Sequence, residues 1–241
     1  MSYIFHTFFY NPIYNGLVYL IDILPNGDAG LAVILVTILV SFILFSVSKK
    51  AIKTQIRMKE MEPEMRSIKE NVKDRQEQAL KMMALYKKYE VNPFSMILLV
   101  ILQIPVLLAL YYVFLKGGLP EIRPEILYPF VSVPEVVSMK LFGFLDISQK
   151  SVGLAILAGV TQFLQARVAT PKLEPKKEGA TFKDDFQRSL GVQVKYVFPV
   201  IIGLISLSFP AALPLYWSTR NIFMTIQELY VRKNLKPKNQ N

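Results

Sequence analysis

The sequence predicts an all-α, polytopic membrane protein with five transmembrane helices, an N-terminal interfacial helix and a cytoplasmic helical hairpin. Three observations predict it. Of the 241 residues, 52% are hydrophobic, and the mean hydropathy is +0.34, more apolar than a soluble domain usually is. Five apolar runs approach or reach the roughly 20 residues that a spanning helix needs. The net charge of +10 is unevenly spread, with Lys and Arg gathered into segments that alternate with bare ones.

Residues 1–27 read as an extracytoplasmic amphipathic helix. Asn11-Pro12 looks like a helix start, with Asn as N-cap and Pro in the first turn, and Ile13, Leu17, Leu20, Ile21 and Leu24 recur at helical spacing. Only about thirteen residues then precede Pro25-Asn26-Gly27-Asp28, too few to span, so the helix is placed in the membrane surface. Phe5, Phe8, Phe9, Tyr10 and Tyr14 suit that interface. The competing reading has Met1 to Leu24 cross the bilayer with a kink at Pro12. The start has no basic n-region and no Ala-x-Ala site, so it does not read as a secretory signal.

Residues 28–48 hold the first span, clearest from Gly30 to Val47, where Thr37, Ser41 and Ser46 are the only polar side chains. Residues 49–91 are charged and read as a cytoplasmic helical hairpin. Ile52, Ile56, Met61, Met65, Ile68 and Val72 mark one arm, and Leu80, Met83, Tyr86 and Tyr89 the other. Lys73-Asp74-Arg75 is the expected tip, and Pro63 should kink the first arm. Twelve basic residues meet seven acids there. One reading is a solvated coiled-coil-like hairpin; a second adds a basic, Met-bearing surface for lipid headgroups or a protein partner.

Residues 92–115 form the second span, with Gln103 and Pro105 inside it. Residues 116–150 are an extracytoplasmic connection broken by Pro120, Pro124, Pro129 and Pro134, whose apolar runs suggest short interfacial pieces. Residues 151–168 are the third span, and 169–192 a cytoplasmic loop with Lys172, Lys176, Lys177, Lys183 and Arg188. Residues 193–208 are the fourth span and 209–231 the fifth, entered through the tight turn Phe209-Pro210-Ala211-Ala212. Residues 232–241 are a basic cytoplasmic tail. Residues 1–27 carry no Lys or Arg, and the 116–150 connection only Lys116, Arg123, Lys140 and Lys150. The expected placement is therefore a multi-pass plasma-membrane protein, N-terminus outside and C-terminus cytoplasmic.

The chain contains no cysteine, which excludes disulfides, thiolate chemistry and cysteine-based metal sites. The single His6 reads as an interfacial side chain rather than a ligand. There is no Gly-x-Ser-x-Gly, His-Glu-x-x-His, phosphate loop or pair of intramembrane aspartates. The sequence reads as that of a non-enzyme with no metal and no cofactor.

What is left to carry a function is the polar set inside the apolar runs: Thr37, Ser41, Ser46, Gln103, Thr161, Gln162, Gln165, Ser206, Ser208, Tyr216, Ser218, Thr219, Arg220 and Asn221. Ser and Thr are weak signals, because their hydroxyls bond to their own helix. Gln103, Gln162 and Gln165 are stronger, because a carboxamide needs several partners. Gln162 and Gln165 share a helix face, and Tyr216 and Arg220 share another. An arginine at the centre of a span costs about 2.5–3.5 kcal/mol on insertion scales, so Arg220 should face protein or a wet cavity. The competing reading is snorkelling to the cytoplasmic surface, but Val231 lies about 16 Å further along the helix, more than an Arg stem covers. The spans are read as offering it no acidic partner. Such a cation would draw in a segment bearing an acidic side chain.

Several motifs stand in order along the chain: Tyr86-Lys87-Lys88-Tyr89-Glu90-Val91-Asn92-Pro93, then Leu102-Gln103-Ile104-Pro105-Val106-Leu107-Leu108-Ala109-Leu110-Tyr111, Gly159-Val160-Thr161-Gln162-Phe163-Leu164-Gln165, Tyr196-Val197-Phe198-Pro199, Phe209-Pro210-Ala211-Ala212-Leu213-Pro214-Leu215-Tyr216-Trp217 and Ile226-Gln227-Glu228. In them the sequence resembles the YidC/Oxa/Alb family of membrane protein insertases, from about Asn11 to Lys233. It is similar to the minimal five-span form, without the large periplasmic domain and leading span of Gram-negative members. The resemblance implies a hydrophilic groove, open to cytoplasm and lipid but closed outside, that accepts a nascent membrane protein and releases its spans into the bilayer. It implies nascent membrane proteins and membrane lipids as partners, with the ribosome, the Sec translocon and the signal recognition particle receptor as further candidates and no direct contact with nucleic acid.

One departure stands out. The family usually carries an arginine in the first span, where this chain has Ser41. Arg220 meanwhile occupies a fifth-span position that is usually small and polar. The expectation is that the groove's positive charge has moved, and that Arg220, Tyr216, Gln103, Gln162, Gln165, Ser41 and Thr219 line the groove. The alternatives are a small-solute transporter or channel, or an assembly chaperone without independent insertase activity. A transporter would more often show internal repeats, and none is visible.

Overall fold

The structure, a computed structural model, describes residues 3–92, 94–115, 119–170, 189 and 191–235. Most of the expected 169–192 loop, Lys116 and the end of the basic tail lie outside them. The described residues are mostly helical, with one short pair of strands. The chain divides into two compact units: Met1–Ile43 with Gln103–Ile226, and Leu44–Leu102 with Gln227–Asn241.

The first unit begins with a single turn, α1 (Tyr3–Phe5). It continues through a π-helical turn, His6–Tyr10, into α2 (Asn11–Ile23). The expected helix start at Asn11-Pro12 is corrected here. Asn11 is itself helical (φ −61°, ψ −47°), and its N–H donates to the carbonyl of His6. Proline lacks an N–H and crowds the carbonyl four residues back; the wider π turn loosens the register just before it, so the helix passes through. Asp28 then opens α3 (Ala29–Ile43) as its cap, its Oδ1 accepting the N–H of Leu31 at 2.8 Å.

The core of this unit packs Tyr14, Leu17, Val18 and Ile21 of α2 and Val33 of α3 with Leu110 and Val113 of α7 (Phe94–Leu115) and Tyr216 of α10 (Ala212–Asn234). The proline-broken connection is not a free loop. Asn15 donates to the Ile126 carbonyl at 3.0 Å and accepts from the Tyr128 N–H at 2.6 Å, while the Arg123 N–H donates to the Tyr14 hydroxyl at 2.8 Å. It also holds β1 (Lys140–Leu141) antiparallel to β2 (Leu145–Asp146). Beyond the strands, the Ile147 and Gln149 carbonyls accept from the N–H groups of Ala212 and Ala211 at 3.0 and 2.8 Å. Two of the orphan donors at the start of α10 are thereby satisfied.

Ser151 caps α8 (Val152–Ala169) with its hydroxyl. A π turn, Gln193–Val197, leads into α9 (Phe198–Ser206), which packs on α8 where Gly159 meets Gly203. A Cβ on Gly159 would stand 3.2 Å from the Pro199 carbonyl oxygen. The outward faces of this pair, Val152, Ile156 and Val160 with Val200 and Leu204, are exposed and apolar. A continuous apolar surface of this kind marks a protein that meets lipid or a partner.

In the second unit α4 (Phe45–Glu60) follows α3 after a break at Leu44 (φ −82°, ψ 0°). The expected first span is therefore not one helix to Val47. No Pro or Gly marks the break. The Thr37 and Ser41 hydroxyls donate back to the carbonyls of Val33 and Thr37 at 2.6 and 2.7 Å, and such back-bonding bends helices. Then α5 (Glu62–Asn71) and α6 (Arg75–Lys88) pair antiparallel around Met61, Leu85 and Tyr89. Asp74 caps α6 by accepting from the N–H groups of Gln76 and Glu77. Among the described residues Val152–Ala169 is the one helix long and apolar enough to cross a bilayer unaided. Ala29–Ile43 and Phe45–Glu60 pass only as a broken pair, and Ile101–Leu115 and Gln193–Ser206 are shorter apolar stretches.

Candidate functional site

The polar residues of α10 are arranged by its own backbone. The hydroxyls of Ser218 and Thr219 donate to the carbonyls of Pro214 and Leu215 at 2.7 and 2.8 Å, so both are committed to the helix that carries them. Tyr216 is buried, and its hydroxyl accepts from the Gln103 carboxamide of α7. Arg220 lies one turn further along the same face, half-buried. Among the described residues its guanidinium has no hydrogen bond and no ion pair. The phenol and the guanidinium are close enough to interact electrostatically.

Asn221 is buried, and its amide donates to the Thr161 hydroxyl on α8 at 3.5 Å. That hydroxyl itself donates to the Leu157 and Ala158 carbonyls. Gln162 and Gln165 are half-buried on α8, and neither carboxamide has a hydrogen-bond partner among the described residues. Ser41 is buried and donates into its own helix.

The structure thus joins Gln103 to Tyr216 and sets Arg220 beside them. It records no bond from Gln162, Gln165, Ser41 or Thr219 to that trio. An open apolar groove of about 530 Å³ runs along the outer side of the α8–α9 pair, lined by residues such as Val152, Ile156, Val200 and Leu204, and none of the candidates lines it. Asn221 was visible in the sequence only as one of several span-embedded polar residues; its link to Thr161 depends on a helix pairing that no local signal specifies. The expectation is that the spans offer Arg220 no acidic partner, and among the described residues no acid bonds it. Glu228 lies within the limits given for the fifth span, is buried, and bonds Arg232 at 2.7 Å. It is two turns from Arg220 on the same helix, and the Arg at i+4 is the signal that identifies its partner.

A mostly helical chain with outward apolar faces and a polar trio among its helices is, as a class, a helical membrane protein. The sequence matches the family described as 60Kd inner membrane protein over residues 22–239, and the chain belongs to that family. It is similar to the membrane protein insertase YidC of Francisella philomiragia, 31% identical over 209 residues, covering 86% of this chain and 33% of the relative. It is likewise similar to YidC of Alcanivorax borkumensis, 30% identical over 211 residues, 87% of this chain and 32% of the relative. For YidC of Francisella tularensis subsp. novicida the identity is 32% over 209 residues, 86% and 33%. The chain spans about a third of the length of these relatives. They are named as insertases, not as enzymes.

Proposed function

We propose that this chain is a membrane protein insertase. It takes the hydrophilic part of a nascent membrane protein into a polar pocket among its helices and lets the apolar part pass into lipid. In this reading the chain crosses the bilayer five times, with the N-terminus outside and the α4–α6 segment and C-terminus in the cytoplasm. The observation that carries it is Arg220: a half-buried guanidinium, without a partner among the described residues, beside the Gln103–Tyr216 pair. A half-buried cation with no counter-ion among the described residues favours the approach of an anion, and an acidic segment in transit supplies one. Gln162 and Gln165, also without partners among the described residues, add donors and acceptors that a hydrated peptide could use. The match to relatives named as insertases supports the same reading.

The test is reconstitution of the purified chain into liposomes, with a small single-span substrate carrying an acidic tail. Insertion, read as protease protection of the translocated tail, supports the proposal. Arg220→Ala lowers it at least tenfold for the acidic tail and less for a neutral one. Equal insertion of the acidic-tailed substrate by wild type and Arg220→Ala would sink the role given to Arg220.

A further inference from the structure

The strand pair of the α7–α8 connection ends in the tip Phe142-Gly143-Phe144. Gly143 has φ 82° and Phe142 φ 50°. Glycine takes such angles freely, whereas a bulky residue seldom does. The buried Asp28 holds Phe142 there, its Oδ2 accepting the Phe142 N–H at 2.7 Å while its Oδ1 caps α3. The backbone adds two ties, from Ser138 N–H to the Gly27 carbonyl at 2.8 Å and from Ala29 N–H to the Ser138 carbonyl at 2.9 Å. The tip is therefore fixed to the first turn of α3.

Both rings nevertheless stay out of the core. Phe142 is 62% exposed and Phe144 77%, and Lys140 beside them is exposed. Phe142, held in the open by a buried carboxylate, and Phe144, two residues on with its N–H bonded to the Leu141 carbonyl, call for an apolar neighbour outside the chain. We propose that this tip is a lipid anchor, its two rings entering the boundary between headgroups and acyl chains of the outer leaflet while Lys140 meets the phosphates. The inference rests on the spanning arrangement proposed above. If α3 enters the bilayer, its first turn lies at the surface, and a tip bonded to that turn lies there too. Aromatic side chains and lysine are the residues that this boundary accepts.

The absence of cysteine makes the test direct. Phe144→Cys, Glu135→Cys and Val160→Cys variants of the full chain are nitroxide-labelled and reconstituted into phosphatidylcholine–phosphatidylglycerol vesicles. Collision with oxygen and with a water-soluble nickel chelate is then read by power saturation. Glu135, in the same connection, is the aqueous reference, and Val160, on the outward face of α8, the membrane reference. The expected result is an oxygen-to-chelate ratio at position 144 several-fold above that at 135 and below that at 160. A ratio at 144 equal to that at 135, with 160 reading as buried in lipid, overturns the anchor and leaves the spans standing. Poor access of both reagents at 144 also overturns it, in favour of a protein neighbour. If position 160 reads as aqueous, the spanning arrangement fails and the anchor with it.

Discussion

Tyr216 is the residue on which the candidate site turns, because it is buried and, among the described residues, its hydroxyl bonds the Gln103 carboxamide. Replacing it with Phe removes that bond while keeping the ring in the core. The expected cost is about 1 kcal/mol, read as a lowered unfolding midpoint in detergent. The double variant with Gln103→Ala should lose less than the sum of the two single changes, because both remove the same bond. Arg220 should behave differently. With no hydrogen-bond or ion-pair partner to lose among the described residues, Arg220→Ala should leave the midpoint nearly unchanged, and in the proposed function its effect falls on insertion of the acidic-tailed substrate. Both residues were legible in the sequence, since a tyrosine and an arginine four apart in an apolar run share a helix face. The bond to Gln103 was not, because nothing local specifies which residue of α7 faces α10.

At the scale of elements, the α5–α6 pair has a charged clasp with a defined pH window. The Lys88 ammonium and the Tyr89 hydroxyl both donate to Glu64 and hold its carboxyl below the usual carboxylate range. The same contact with Glu64 raises Lys88 above its ordinary value. A lowered carboxylate stabilises the fold above the ordinary glutamate value of 4.5, and the effect is lost as acid protonates Glu64 through its folded value. A raised amine stabilises it fully below the ordinary lysine value of 10.5, and that is lost as pH climbs through the folded value. Protection of the α5 and α6 amides, the exchange rate taken relative to its intrinsic value at each pH, should therefore be greatest between these limits and fall outside both. Glu64→Ala also removes the 2.6 Å bond that the Tyr89 hydroxyl donates to that carboxylate, weakening the pair by about 1 kcal/mol.

The α8–α9 contact makes a second prediction at this scale. A Cβ on Gly203 would stand 3.6 Å from its nearest neighbour, in ordinary contact, whereas one on Gly159 would stand only 3.2 Å from the Pro199 oxygen. Gly203→Ala should keep most of the roughly 1 kcal/mol that alanine gains over glycine in a helix, and Gly159→Ala should forfeit it. Gly159→Leu should lower stability by about 1–3 kcal/mol through overpacking. Thermal unfolding of the three variants in detergent separates them.

Across the whole molecule, the long apolar runs and the turn at Lys73-Asp74-Arg75 were legible because each rests on local chemistry: hydrophobic periodicity, or an aspartate able to cap the following helix. Two breaks in regularity were not. The π turn before Pro12 carries a helix through what looks like its beginning, and the break at Leu44 falls where the sequence has no Pro or Gly. Asp28 was read only as part of a turn, although it serves α3 and the strand pair together. Asp28→Ala should remove the cap and the hold on Phe142 at once, destabilising the protein by about 2 kcal/mol or more, which chemical denaturation of the detergent-solubilised chain would register.

The bonds from Ala211 and Ala212 to the carbonyls of Gln149 and Ile147 have a mechanical consequence. They pin the start of α10 to the stretch of chain just ahead of α8, so neither helix is free to travel lengthwise past the other at that end. In the proposed function, room for an entering segment then comes from a swing about this pivot rather than from sliding. The amides of Ala211 and Ala212 should stay protected from exchange while those near the far end of α10 open.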